Sequence, residues 1–297
     1  MQPDEQVLAT LPAGAEIRQI QYVSERTAQQ VVVVEFPLAL NCRAIRVGQD
    51  KGVRNEASQG SSLSLLMVPT TGEGPVEGEL GRVLGQMREW VDSGVPASEV
   101  HQVTDSGVPA GSLLLTLQGV QMFWSPNRIA ILAAPDRFDT LQTAVAEATY
   151  YEAQVRDIER SLGAAWPQLE ADLPLAFEFD ARSLTRNPEL RNRFSEVVKL
   201  RARMTRIAPH VHSPHVYPPT LVSQVGERLR ERTKLATRHE FLSDQLEVFQ
   251  DVYVQCSDRS SDFRLTRSGN TLEWIIIILL LVQVLMYGVD ILTNTGQ

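Results

Sequence analysis

The chain has 297 residues, 43% hydrophobic and 22% charged, which is the composition of a folded protein and excludes a disordered one. Its net charge of -8 excludes a protein that coats nucleic acid by charge alone, and no DNA partner is expected. Two cysteines, Cys42 and Cys256, exclude a disulfide framework and a structural zinc site, and they fit a reducing compartment.

The stretch from Met1 to Gly14 is acidic. It has neither a basic region before an apolar run nor the Arg- and Ser-rich character of a transit peptide, so this end is expected to stay in the cytoplasm. Strand candidates follow: Ile17–Val23, Val31–Glu35, Arg43–Val47, Leu63–Val68, Leu113–Leu117, Val120–Trp124 and Ile129–Ala133, many of them bounded by Gly, Pro or Ser. The β-branched run Val31 to Val34 suits an interior strand, and Ser125-Pro126-Asn127 suits a hairpin turn. Between the strands, Leu80, Val83, Leu84, Met87 and Val91 recur at helical spacing within Glu77–Ser93. Residues 1–135 therefore read as a mixed α/β domain.

After Asp136 the period changes. Phe138, Leu141, Val145, Ala148, Val155, Ile158 and Leu162 form one helical stripe, which Pro167 and Pro174 are expected to break. A second helix is expected from Pro188 to Ala208, and a third from Pro219 to about Gln255. In the third, Leu235, His239, Leu242, Leu246, Phe249, Tyr253 and Cys256 follow heptad spacing. Residues 136–257 thus read as a helical hairpin or coiled-coil region. Its seam serves either self-association or ordinary packing inside one monomer.

One cluster has metal-ligand residue types. His210, His212 and His215 lie in PHVHSPHVYPP, with His239 a possible fourth ligand. A metal-dependent enzyme is the alternative that this cluster keeps open; the prolines favour a helix-connecting loop without metal. GxGxxG, GxxxxGK[ST], GxSxG and HExxH do not occur, so neither a catalytic residue nor a cofactor is expected.

Charge is distributed unevenly. The segment Ala181–Glu240 carries thirteen Lys and Arg against five acidic residues, a net of +8 that leaves -16 for the rest of the chain. Arg201, Arg203 and Arg206, with Arg228, Arg230 and Arg232, form a candidate basic patch for anionic lipid or a ribonucleoprotein. The competing reading pairs them with Glu on neighbouring helices. Aromatics are not interleaved with them, so base stacking is not indicated.

Residues 258–271 read as a linker and 272–292 as a transmembrane helix. The run Leu272, Glu273, Trp274, Ile275, Ile276, Ile277, Ile278, Leu279, Leu280 opens a segment of about 19 residues, roughly 28 Å as a helix and so close to bilayer thickness. Gln283 is its strongly polar side chain, and Trp274 and Tyr287 suit the interfaces. Arg264 and Arg267 precede the segment and place the bulk of the chain in the cytoplasm.

From Ser213 to Asp251, and then in TLEWIIIILL, the sequence resembles the required-for-meiotic-nuclear-division family. That family includes a yeast meiosis protein, Sad1-interacting factors and a mitochondrial inner-membrane protein needed for organelle translation. The residues that carry the resemblance are Ser213, Pro214, Tyr217, Pro218, Arg238, Leu242, Leu246, Leu272, Glu273, Trp274 and Ile275, within residues 186–285. Where the family has an aromatic-Trp-Glu after Ser-Pro, this chain has Val216 and Tyr217. The resemblance implies a non-enzymatic, membrane-associated homo-oligomer without cofactor. Together with the lack of a transit peptide, it leads to the expectation of a bacterial inner-membrane protein. The combined expectation is an α+β protein, with an N-terminal α/β domain, long helices and a membrane-spanning end, that acts as a tail-anchored scaffold.

Overall fold

Successive side chains of a strand point to opposite faces of its sheet, so a continuous apolar run such as that of Leu65–Val68 marks a strand covered on both faces. The computed structural model describes residues 3–24, 36–38, 42–47, 62–70, 77–94, 112–177, 182–212 and 220–294. It divides into two units, one of Met1–Arg160 with Ala202–Ser243, the other of Ser161–Arg201 with Asp244–Gln297.

The first unit contains a sheet. Helix α1 (Pro3–Thr10) precedes β1 (Glu16–Ser24), β2 (Phe36–Leu38), β3 (Cys42–Val47) and β4 (Ser62–Pro69). Helix α2 (Glu77–Asp92) follows, then β5 (Leu113–Leu117), β6 (Val120–Trp124) and β7 (Arg128–Ala133). The strand order is β2-β3-β1-β4-β7-β6-β5. Strands β4 and β7 run parallel, with Leu66 opposite Ala130, and the other described pairs are antiparallel. The expected strand Val31–Glu35 lies outside the described residues.

Both faces of the central strands are covered. Leu66 and Val68 of β4 pack with Val83, Met87, Trp90 and Val91 of α2. Leu63, Leu65 and Met67, which alternate with them onto the opposite face, are also buried. Across the sheet, β1 and β6 are tied to helix α3 (Phe138–Asp172): Tyr22 Oη donates to the Ala146 carbonyl at 2.8 Å, and Trp124 Nε1 donates to Thr149 Oγ1 at 3.0 Å. The β5–β6 turn uses Gln118 and Gly119, with φ of 47° and 77°, as a two-residue hairpin of primed type requires. Ser125 closes the next hairpin, its amide donating to the Arg128 carbonyl at 2.9 Å.

The remaining helices are α4 (Pro174–Phe177), α5 (Arg182–His212), α6 (Leu221–Arg232) and α7 (Leu235–Asn294). They correct three boundaries. Pro167 does not break α3, which continues to Asp172. Both Pro167 and Gly163, whose carbonyl loses its partner, are exposed, which leaves that carbonyl open to solvent. The third expected helix is two. Thr220 caps α6 through its side chain, and the chain turns at Thr233 and Lys234, where Lys234 has a φ of 51°. The expected linker 258–271 is helical and belongs to α7.

In the second unit the parts of α3, α5 and α7 that belong to it pack around Leu162, Leu169, Leu190, Val197, Leu246, Phe249 and Tyr253, all buried. Phe249 meets Trp166 edge-on with ring centroids 4.8 Å apart.

Candidate functional site

The end of α7 carries the feature with the plainest physical consequence. Ser268–Met286 is a stretch of 19 residues with a mean hydropathy of 1.9, and none of it is buried within the chain. Leu272, Trp274, Ile275, Ile276, Ile277, Ile278, Leu279 and Leu280 are 48% to 62% exposed, and Glu273 is exposed too. Leaving one such aliphatic side chain in water forgoes about 1.5–3 kcal/mol of burial. A helix satisfies its own backbone hydrogen bonds, so the segment suits hydrocarbon and does not suit water.

The heptad stripe earlier on the same helix has the opposite surroundings. Leu235, His239 and Leu242 are buried in the first unit, and Leu246, Phe249, Tyr253 and Cys256 in the second. The chain's own core covers these positions, the arrangement of ordinary packing inside one monomer.

Cys256 and Tyr253 flank a buried acid. Asp172 accepts an ion-pair hydrogen bond from Arg193 and one of 3.5 Å from Tyr253 Oη. Burial, reinforced by the Asp172 charge, pushes the Tyr253 phenol up to about 12 and the Cys256 thiol up to about 11. Cys256 is therefore a thiol at neutral pH, a packing residue and not a nucleophile.

The basic candidates are largely partnered. Arg203 pairs with Asp157 at 2.8 Å and donates to Gln154 at 3.1 Å; Arg228 pairs with Glu231 at 2.9 Å. Arg230 donates to the His210 carbonyl at 2.9 Å, and Arg201 to Gln250. Arg206 and Arg232 are exposed. Of these contacts, the Arg203–Asp157 pair offsets the +8 segment with an acid from outside it.

The histidines separate. His210 stacks on Tyr151, with centroids 4.9 Å apart and planes 6° from parallel. His212 Nε2 lies 3.0 Å from His239 Nδ1, and His239 Nε2 lies 3.1 Å from the Met204 carbonyl. That carbonyl only accepts, so His239 carries its proton on Nε2 and its Nδ1 accepts from His212. Burial, then the nearby His212, holds the His239 pKa below the usual range against the opposing Met204 hydrogen bond. His215 lies outside the described residues, and among these no group of His, Cys, Asp and Glu has the arrangement of a metal site. His210 and His212 end helix α5; they do not lie in a loop.

One group escaped the sequence reading. Arg238, buried, reaches Glu159 at 2.7 Å and Glu152 at 3.2 Å, and Arg156 Nε donates to Glu152 at 3.2 Å. Burial disfavours the Arg238 charge, yet its hydrogen bonds and charge contacts with Glu159 and Glu152 outweigh that and raise its pKa. Glu152 and Glu159 stand a heptad apart beside Val155 and Ile158, a spacing that marks carboxylates on an otherwise apolar face.

No family model matches the chain, and no curated protein matches it. A solved structure described as that of the full-length CmaX protein is similar to it, with a TM-score of 0.38 and 13% identity over 90% of this chain and 84% of that one. A likeness this slight carries no argument.

Proposed function

We propose that the protein is a non-enzymatic, single-pass scaffold, anchored in a membrane by the end of α7 and holding a partner at its cytoplasmic body. The observation that carries this reading is the 19-residue apolar stretch with no burial inside the chain, on the helix whose earlier part supplies core. Arg259, Arg264 and Arg267 precede the stretch and favour a cytoplasmic body. Exposed Arg206 and Arg232 suit a polyanionic partner, either a ribonucleoprotein or anionic headgroups. The resemblance at Leu272, Glu273, Trp274 and Ile275 agrees with a membrane-associated, non-enzymatic role.

Alkaline carbonate washing of membranes tests the anchor. The intact chain is expected in the pellet and a chain lacking residues 272–297 in the supernatant. Release of the intact chain overturns the reading, and a truncated chain that still pellets moves the anchor elsewhere.

A further inference from the structure

The exposed end of α7 carries a second heptad stripe, distinct from the buried one. Leu265, Leu272, Ile276, Leu279, Gln283 and Met286 share it, with Gly269 filling the remaining position. Three features of the stripe call for a protein neighbour.

Gln283 lies inside the apolar run that begins at Trp274 and is exposed within the chain, which places an amide within the hydrocarbon region. Lipid tails offer that amide neither donor nor acceptor. Among the described residues one helix is apolar and long enough to cross, so these residues bring no second span to the amide.

Leu265 and Leu272 are 71% and 58% exposed and are the large apolar side chains described between Ser260 and Trp274. Both fall on the Gln283 stripe. Leu265 stands more than two helical turns before Trp274, outside hydrocarbon, where lipid does not cover it. Finally, a Cβ built on Gly269 would meet nothing within 4 Å, so this side of the helix is open to close approach.

We infer that this stripe packs in parallel against the same stripe of a second copy of the chain, with Gln283 hydrogen-bonded to the Gln283 of that copy. The inference rests on the membrane reading above. A parallel copy brings its amide to the same depth, and an amide both donates and accepts, so the contact is self-complementary. The same register covers Leu265 and Leu272, which a neighbour confined to the bilayer does not reach.

Oxidative crosslinking of the full chain in phosphatidylcholine–phosphatidylglycerol vesicles tests this, with the native protein as baseline. Ile276→Cys and Leu279→Cys are expected to yield disulfide dimers, whereas Ile277→Cys and Ile278→Cys, turned away by about 100° per residue, yield much less. Gln283→Leu is expected to weaken association roughly 3- to 30-fold, with Gln283→Asn retaining it. Equal dimer yields at all four positions overturn the inference, as does undiminished association of Gln283→Leu or a crosslink to a different protein. Carbonate washing separates the two failures. A washed-off chain sinks the membrane reading, whereas a retained chain without Leu279→Cys dimers sinks the stripe alone.

Discussion

Helix α7 holds two stretches with the same backbone and opposite surroundings. From Leu246 to Ser260 the apolar side chains at heptad spacing, Leu246, Phe249, Tyr253 and Cys256, are buried, while Glu247, Val248, Asp251, Val254 and Asp258 face water. From Trp274 to Met286 apolar residues occupy every position but Gln283, on all sides of the helix as well as on the stripe inferred above, and none is buried in the chain. A periodic stripe matches a protein neighbour on one side; a continuous run matches a solvent that is apolar on every side. The difference teaches that period and content carry separate information, and that here the rise in apolar content on every side of the helix marks where the surroundings change.

The largest effect should come from putting charge into the second stretch. Leu279→Arg with Leu280→Arg adds about 2.5–3.5 kcal/mol per residue at the bilayer centre. The doubly substituted chain should leave the carbonate pellet, with the thermal melting of its body unchanged. A substitution in the first stretch should do the reverse. Phe249→Ala removes a ring packed on Trp166 and should lower the unfolding free energy in urea by about 3–5 kcal/mol, leaving membrane retention intact. If retention falls as well, the two stretches are not separable.

Arg238→Met comes next, at about 3 kcal/mol by urea unfolding, because it takes from Glu152, whose side chain is 4% exposed, its buried cation and leaves it Arg156 alone. The partial exposure of Glu159, at 23%, keeps the loss at the lower end of the range for a broken buried pair. Smallest is the pH dependence of the His212–His239 contact. The folded state binds a proton on His239 more weakly than the unfolded chain, whose value is 6.5, so this contribution is complete above that pH and fades as the pH falls through and below it. The urea midpoint should drop between pH 7.5 and pH 5.5, less so in His239→Gln, which keeps a donor for the Met204 carbonyl. An identical drop in both proteins removes His239 from the account.

Local signals in the sequence located most strands and α2, because turn residues and period punctuate them: Leu63–Val68 and Ile129–Ala133 lie inside β4 and β7. Their parallel pairing was not legible, since it depends on distant segments meeting. Helix ends are less legible than strands. Residues 258–271, read as a linker, contain Ser, Asp and Gly, yet each costs at most about 1 kcal/mol in a helix, and Ser261 and Thr266 hydroxyls return hydrogen bonds to the Ser257 and Asp262 carbonyls. The turn at Thr233 and Lys234 has no Gly or Pro to announce it. The Thr233 hydroxyl holds it by donating to the Leu229 carbonyl at 2.8 Å, with Arg238 reaching the Thr233 carbonyl at 3.4 Å. Of the candidate site, the apolar segment was legible by composition alone. The distribution of the histidines and arginines among partners was set by tertiary contacts that spacing does not encode.

The parallel β4–β7 pair also constrains the order of events during synthesis. Strand β4 leaves the ribosome long before β7, and until β7 arrives the hydrogen-bonding edge beside Leu65, Leu66, Met67 and Val68 has no native partner. Closing that edge waits on the β5–β6–β7 ladder, a non-local step of the kind that slows folding. A nascent chain halted before Arg128 carries an apolar strand edge open to pairing with another chain, the arrangement that leads to aggregation and recruits chaperones. For this molecule, the hazard of misassembly lies at the middle of the sheet, well before the apolar end of α7 is made.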